Sequence, residues 1–123
     1  MGWHVMGWKV DREQRGELLA RFRPKYANAV ADHVTLRVGV EPREKLPEDT
    51  QGEIVGRADD GQGVEALVVR IGAGTERPGG GTYHITWSLA DGRTAKESND
   101  VIAARGWERV EPGIPVKLKG AFF

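Results

Sequence analysis

The tetrapeptide His33-Val34-Thr35-Leu36 returns at positions 84–87 as His84-Ile85-Thr86-Trp87. Each copy sits in a stretch that alternates apolar and polar residues, 30–38 and 83–89, and alternation of that kind predicts a β-strand. On a strand, residues i and i+2 share a face. His33 and Thr35 therefore point one way while Val34 and Leu36 point into a core. By the same rule His84 and Thr86 stand together and Ile85 and Trp87 are buried. Each strand presents an imidazole beside a hydroxyl. A single His-x-Thr is only the polar face of a strand; the repetition in matching context carries the information. His4, in His4-Val5-Met6, lacks the pattern and reads as an ordinary strand residue.

Further elements follow on either side of the motifs. Residues 3–10 are rich in aromatic and branched side chains and predict an opening strand. Asp11 stands three residues before Gln14, an N-cap signature for a helix over 12–22 with Leu18, Leu19 and Phe22 as its buried stripe, ended by Pro24. Strands are expected at 52–58 and 64–71, joined by a hairpin at Asp60-Gly61. That loop lacks the spaced oxygen ligands and closing Glu of a calcium loop. The glycine-rich 72–81 has no Gly-Lys-Ser/Thr ending and reads as a loop, with no phosphate-loop character. Ser98 or Asn99 caps a short helix that ends near Gly106, and 116–122 alternates as a closing strand. One α+β domain over residues 1–123 accounts for all of this.

Composition limits the functions open to it. The 123 residues are 39% hydrophobic and 29% charged, enough to bury a core. Eighteen basic residues balance eighteen acidic ones, so a broad basic track for phosphate backbones is missing and nucleic-acid contact must be local. Absence of cysteine excludes disulfides, thiol catalysis and thiolate metal sites. The longest apolar run, Ala66-Leu67-Val68-Val69, is far too short to span a membrane, and the N-terminus has no signal core. A monomer in the cytoplasm is expected.

Two imidazole–hydroxyl pairs suit phosphodiester cleavage without metal or other cofactor. One imidazole removes a proton from the attacking oxygen and the other supplies one to the leaving oxygen, which histidine can do in either role near neutral pH. Threonine hydroxyls donate to nonbridging phosphate oxygens, where charge must be held. No carboxylate shares the histidines' spacing, so metal ligation is not expected.

On these residues the chain resembles the two-histidine phosphoesterase superfamily. The stretch from Tyr83 to Leu89, followed by Ala95-Lys96-Glu97-Ser98-Asn99-Asp100-Val101-Ile102, is similar to the corresponding segment of the cyclic phosphodiesterase domain of fungal tRNA ligases. Phe22-Arg23-Pro24-Lys25-Tyr26 and Val30-Ala31-Asp32-His33-Val34-Thr35-Leu36 resemble its first motif region. The resemblance implies a compact bilobal α+β fold, with antiparallel sheets around a central cleft and two short helices. It implies hydrolysis of a 2′,3′-cyclic phosphate, leaving a 2′-phosphate, as in RNA processing and repair. His33 and His84 become the catalytic acid–base pair, with His84 activating water and His33 protonating the leaving 3′ oxygen; Thr35 and Thr86 become the phosphate ligands. The motifs lie closer together than in most relatives, which implies pared-down lobes and favours a short substrate. That substrate is an RNA cyclic phosphate end or a small cyclic nucleotide.

Further substrate contacts are open to Tyr26 and Tyr83, which flank the motif strands, and to Ser98 and Asn99, near a helix N-terminus. Arg77, in the glycine-rich loop, is a possible lid contact. Two other readings stand beside the enzyme: a noncatalytic module that binds terminal phosphates of RNA or nucleotides, and a structural domain that binds none.

Overall fold

The computed structural model describes residues 4–123. Its elements are β1 (His4–Val10), α1 (Arg12–Arg21), β2 (Asn28–Ala29), β3 (His33–Val40), β4 (Gln51–Asp59), β5 (Val64–Arg70), β6 (His84–Leu89), α2 (Glu97–Arg105) and β7 (Glu108–Phe122). The opening strand forms as expected from His4 onward; Trp3 lies outside the described residues. The Asp11 carboxylate accepts from the Gln14 amide at 3.0 Å, so α1 begins at its expected cap.

All pairings are antiparallel, and the strands run in the order β6-β3-β1-β7-β4-β5, with β5 pairing β6 again. Six strands thus form one closed barrel, and β2 continues alongside β6. The two motif strands, β3 and β6, are neighbours in this single sheet. Alternation fills the interior with Trp8, Val34, Ile54, Leu67, Val69, Ile85, Trp87, Val116 and Leu118, to which α1 adds Leu18. The other face of β4 and β5 presents Ala58, Ala66 and Val68 to Val101 and Ile102 of α2, a second and smaller core. Small residues there let the helix approach the sheet.

Three expectations are corrected. The stretch 30–38 is not one strand: β2 stops at Ala29 and β3 starts at His33. The helix near residue 98 begins at Glu97 with Lys96 at the N-cap, which makes no side-chain cap bond, and Ser98 is fully buried inside it. The last strand starts at Glu108, eight residues early. Pro112, Gly113 and Pro115 hide it, because they spoil alternation; pairing of Arg109 with Gly56 and of Ile114 with Ile54, across a bulge, holds it in place.

Sequence patterning also gives no hint of Glu65, a carboxylate with no exposed surface. Arg57 holds it from β4, the Ser88 hydroxyl donates to it from β6 at 2.6 Å, and the Lys25 amide donates at 3.0 Å. It ties three segments at one rim of the barrel. Glu65→Ala leaves the buried Ser88 hydroxyl and the Lys25 amide without their acceptor and should cost about 3 kcal/mol in urea unfolding. Glu53→Ala, which breaks a surface pair with Arg70, should cost under about 1 kcal/mol.

Candidate active site

Val34 and Ile85 are partners in the β3–β6 ladder, and both are buried in the barrel interior. Their neighbours therefore emerge on the outer face together. The register sets Thr35 across from His84, while His33 and Thr86 flank the pair on its other side. The two motifs meet about a local twofold centred on Val34 and Ile85, with the imidazoles on a diagonal. In a regular ladder such diagonal positions are about 7–8 Å apart.

The twofold is broken by a bulge. Val30 donates to the Trp87 carbonyl at 2.9 Å and Ala31 to the Thr86 carbonyl at 3.0 Å. Between the Val30–Trp87 and Val34–Ile85 pairs, residues 31–33 stand opposite Thr86 alone. Ala31 takes φ +44 with no exposed surface, a strained conformation for a residue with a Cβ. Helix α1 fixes the bulge: Arg15 donates to the carbonyls of Ala31 (2.8 Å) and Val30 (2.9 Å), and Arg12 to that of Asp32 (3.0 Å). The bulge turns Asp32 toward its neighbour, so that His33 Nδ1 lies 3.1 Å from the Asp32 carboxylate. Lys9, directly across from His33 on β1, holds the same carboxylate. The His33 ring packs on Phe123, centroid to centroid 4.4 Å.

The histidines differ in setting. His33 is partly exposed; His84 is buried. Burial pushes the His84 imidazole below its ordinary range, overcoming a hydrogen bond to the Thr82 carbonyl that favours charge; the charges of Arg77 and His33 add to the lowering. Since a carbonyl only accepts, the 2.8 Å contact fixes the proton on His84 Nδ1 and leaves Nε2 with a free lone pair. His84 Nε2 is thus the acceptor atom of the ring. At Asp32, burial acts to raise the carboxyl, but hydrogen bonds from Lys9 and His33 outweigh it and hold the group at about 2. The ionised Asp32 carboxylate only accepts, so the contact places a proton on His33 Nδ1.

The hydroxyls differ too. Thr35 lines an open cleft beneath the turn at 77–80. Thr86 is buried, 2.9 Å from the Ser98 hydroxyl and 3.4 Å from the Ala95 carbonyl, so it anchors the start of α2. Ser98 has no exposed surface, and its expected part as a substrate contact is replaced by this bond. Asn99 is exposed, and its carbonyl oxygen accepts from Arg77 at 3.0 Å. The tyrosines need correction. Tyr83 is a core residue, edge-on to Trp8 at 5.7 Å, because the alternation that sets His84 on the outer face turns its neighbour into the interior. Tyr26 bonds Asp59 at 2.6 Å, and its amide reaches Ser88 instead of the motif residues. Asp32, Lys9 and α1's arginines were not singled out from sequence; the Asp32-His33 dipeptide was the only available signal. Among the described residues no group of three His, Cys, Asp or Glu side chains is placed to hold a metal ion, and no helix is long and apolar enough to cross a membrane.

Two outcomes follow from these environments. In long-range ¹H–¹⁵N spectra His84 should stay the Nδ1–H tautomer and titrate below the ordinary imidazole range. Because the folded Asp32 carboxyl is depressed, its stabilising effect is present above its unfolded pKa and is lost as pH falls through about 2. Asp32→Asn should therefore be less stable than wild type by about 1–2 kcal/mol near neutral pH, in urea unfolding. The difference should shrink steadily below about pH 4.

No family model, curated protein or solved structure matches the chain.

Proposed function

We propose that the protein is a metal-independent phosphodiesterase that hydrolyses 2′,3′-cyclic phosphates to 2′-phosphomonoesters with His84 as base and His33 as acid. The observation that carries this reading is the Val34–Ile85 pairing, which sets both His-x-Thr motifs on one outer face. The bilobal architecture of two-histidine phosphoesterases is, on this reading, merged here into a single barrel, with each motif strand as the remnant of one lobe.

In the reaction, water bound at His84 Nε2 attacks phosphorus. His84 takes its proton as the new P–O bond forms. The P–O3′ bond breaks, and O3′ receives the Nε2 proton of His33 as its positive charge, until then balanced by Asp32, is lost. The product carries a 3′ hydroxyl and a 2′-phosphate. Proton exchange with solvent returns His84 to neutral and His33 to its charged form. Thr35 donates to a nonbridging oxygen in the transition state; Thr86, through Ser98, holds the end of α2 beside it. A small barrel in a chain of zero formal net charge fits an RNA end or a nucleotide better than a long duplex.

An oligonucleotide ending in a 2′,3′-cyclic phosphate should be converted to the 2′-phosphate in excess EDTA. His33→Ala and His84→Ala should each lower kcat by about 10³-fold. The acid limb of kcat/KM, set by His84, should lie below the ordinary imidazole range. Loss of activity in EDTA with rescue by one divalent ion would overturn the mechanism. Tight binding of cyclic phosphate ends without turnover would replace the enzyme by a binding module.

A further inference from the structure

Between β5 and β6 the chain makes an excursion closed by the bridges Ile71–Gly74 and Glu76–Thr82. At its tip Gly79, Gly80 and Gly81 all take positive φ, at +87, +112 and +91. This lets the turn fold back on Arg77, whose amide donates to the Gly81 carbonyl at 2.9 Å. A Cβ on Gly81 would press on the Arg77 guanidinium. That group is held by neutral acceptors, the Gly80 carbonyl at 3.3 Å and the Asn99 side chain at 3.0 Å. Among the described residues it forms no ion pair, while eleven of the other positions carrying Lys, Arg or His do. A fixed guanidinium without a counter-charge is an anion ligand in waiting.

Its surroundings define the anion's place. Arg77, Pro78 and Gly80 form one wall of a cleft of about 320 Å³, and Thr35, Arg37 and Val38 of β3 form the other. Thr35 is the motif hydroxyl across from His84, so the cleft opens at the acid–base pair and runs along β3 away from it. Three residues of strand, about 10 Å, separate Thr35 from Val38. Val38 is the most exposed large apolar side chain described, at 71%, and supplies an apolar edge for a ribose or base. Arg37 adds a second guanidinium, shared with Glu44.

We propose that this cleft is a second phosphate subsite, which makes the preferred substrate a 2′,3′-cyclic phosphate that carries another phosphate, either a 5′-phosphate or an internucleotide one. The inference rests on the hydrolase reading above. Arg77 is the specificity ligand, Asn99 its positioning residue, and the glycine turn the support that aims it.

The test compares kcat/KM for adenosine 2′,3′-cyclic phosphate, its 5′-phosphorylated form, and a dinucleotide ending in the cyclic phosphate. Wild type should favour the 5′-phosphorylated form or the dinucleotide over the plain nucleoside by about tenfold or more, and whichever is favoured identifies the source of the phosphate. Arg77→Gln should bring that ratio to near one, and Arg77→Lys should retain part of it; a ratio is unaffected by any general loss of active protein. A wild-type ratio near one, or one that persists in Arg77→Gln, overturns the subsite and leaves the hydrolase standing. If no substrate turns over, the hydrolase reading falls, and binding of 5′-AMP decides the subsite separately. Amide shifts at Gly79, Gly80 and Gly81 in wild type and not in Arg77→Gln would uphold it; no shifts would overturn it.

Discussion

Closure of the sheet at β6 is the constraint on which the rest of the molecule depends. A strand in an open sheet has two neighbours at most along its length, and an edge strand has one. Here β6 pairs β5 on one side and both β3 and β2 on the other, so the barrel has no free edge where the motifs lie. Closure requires the inner faces of β3 and β6 to meet in a packed interior, which buries Val34 and Ile85. The residues between them in the pleat must then face outward side by side. The adjacency of the two imidazoles is a by-product of filling the barrel.

A regular ladder would have made the two histidines equivalent. The bulge at residues 31–33 removes that equivalence. It spends local conformational energy at Ala31, recovered through three arginine-to-carbonyl bonds from α1, and in return it swings a carboxylate onto one imidazole. The other imidazole keeps the straight strand, sinks below the 72–81 excursion and bonds a carbonyl. The two imidazoles therefore sit in different settings, one bonded to a carboxylate and the other to a carbonyl.

The helices have unequal duties. Helix α1 contributes Leu18 to the interior and its arginines to the bulge, linking core packing to the position of His33. Helix α2 covers the outside of β4 and β5, and its first turn is tied to β6 where the Ser98 and Thr86 hydroxyls pair. Through Asn99 the same helix end fixes Arg77. The glycine-rich excursion is thereby attached to the layer that packs the second core, and its cation is held over the motif face by structure on both sides.

Much of this was legible in the residues. Period-2 alternation located the strands at the motifs, Asp11 with Gln14 marked the helix start, and Asp60-Gly61 marked the β4–β5 hairpin, because each is a local signal of backbone geometry. His-x-Thr spacing put the imidazole and hydroxyl of each motif on one face, since that follows from the pleat alone. Partner choice could not be read in this way. That β3 lies beside β6, that the sheet closes into one barrel, and that Tyr83 turns into the core against Trp8 are consequences of packing between segments distant in sequence. The bulge was invisible because Ala31 carries no turn-forming side chain; its positive φ is imposed by α1 and β6. Glu65 and Asp32 looked like ordinary surface charges, and only their three-dimensional neighbours distinguish a buried tie and an imidazole partner. Local periodicity determined which residues could act, and tertiary closure decided which of them meet and in what electrostatic state.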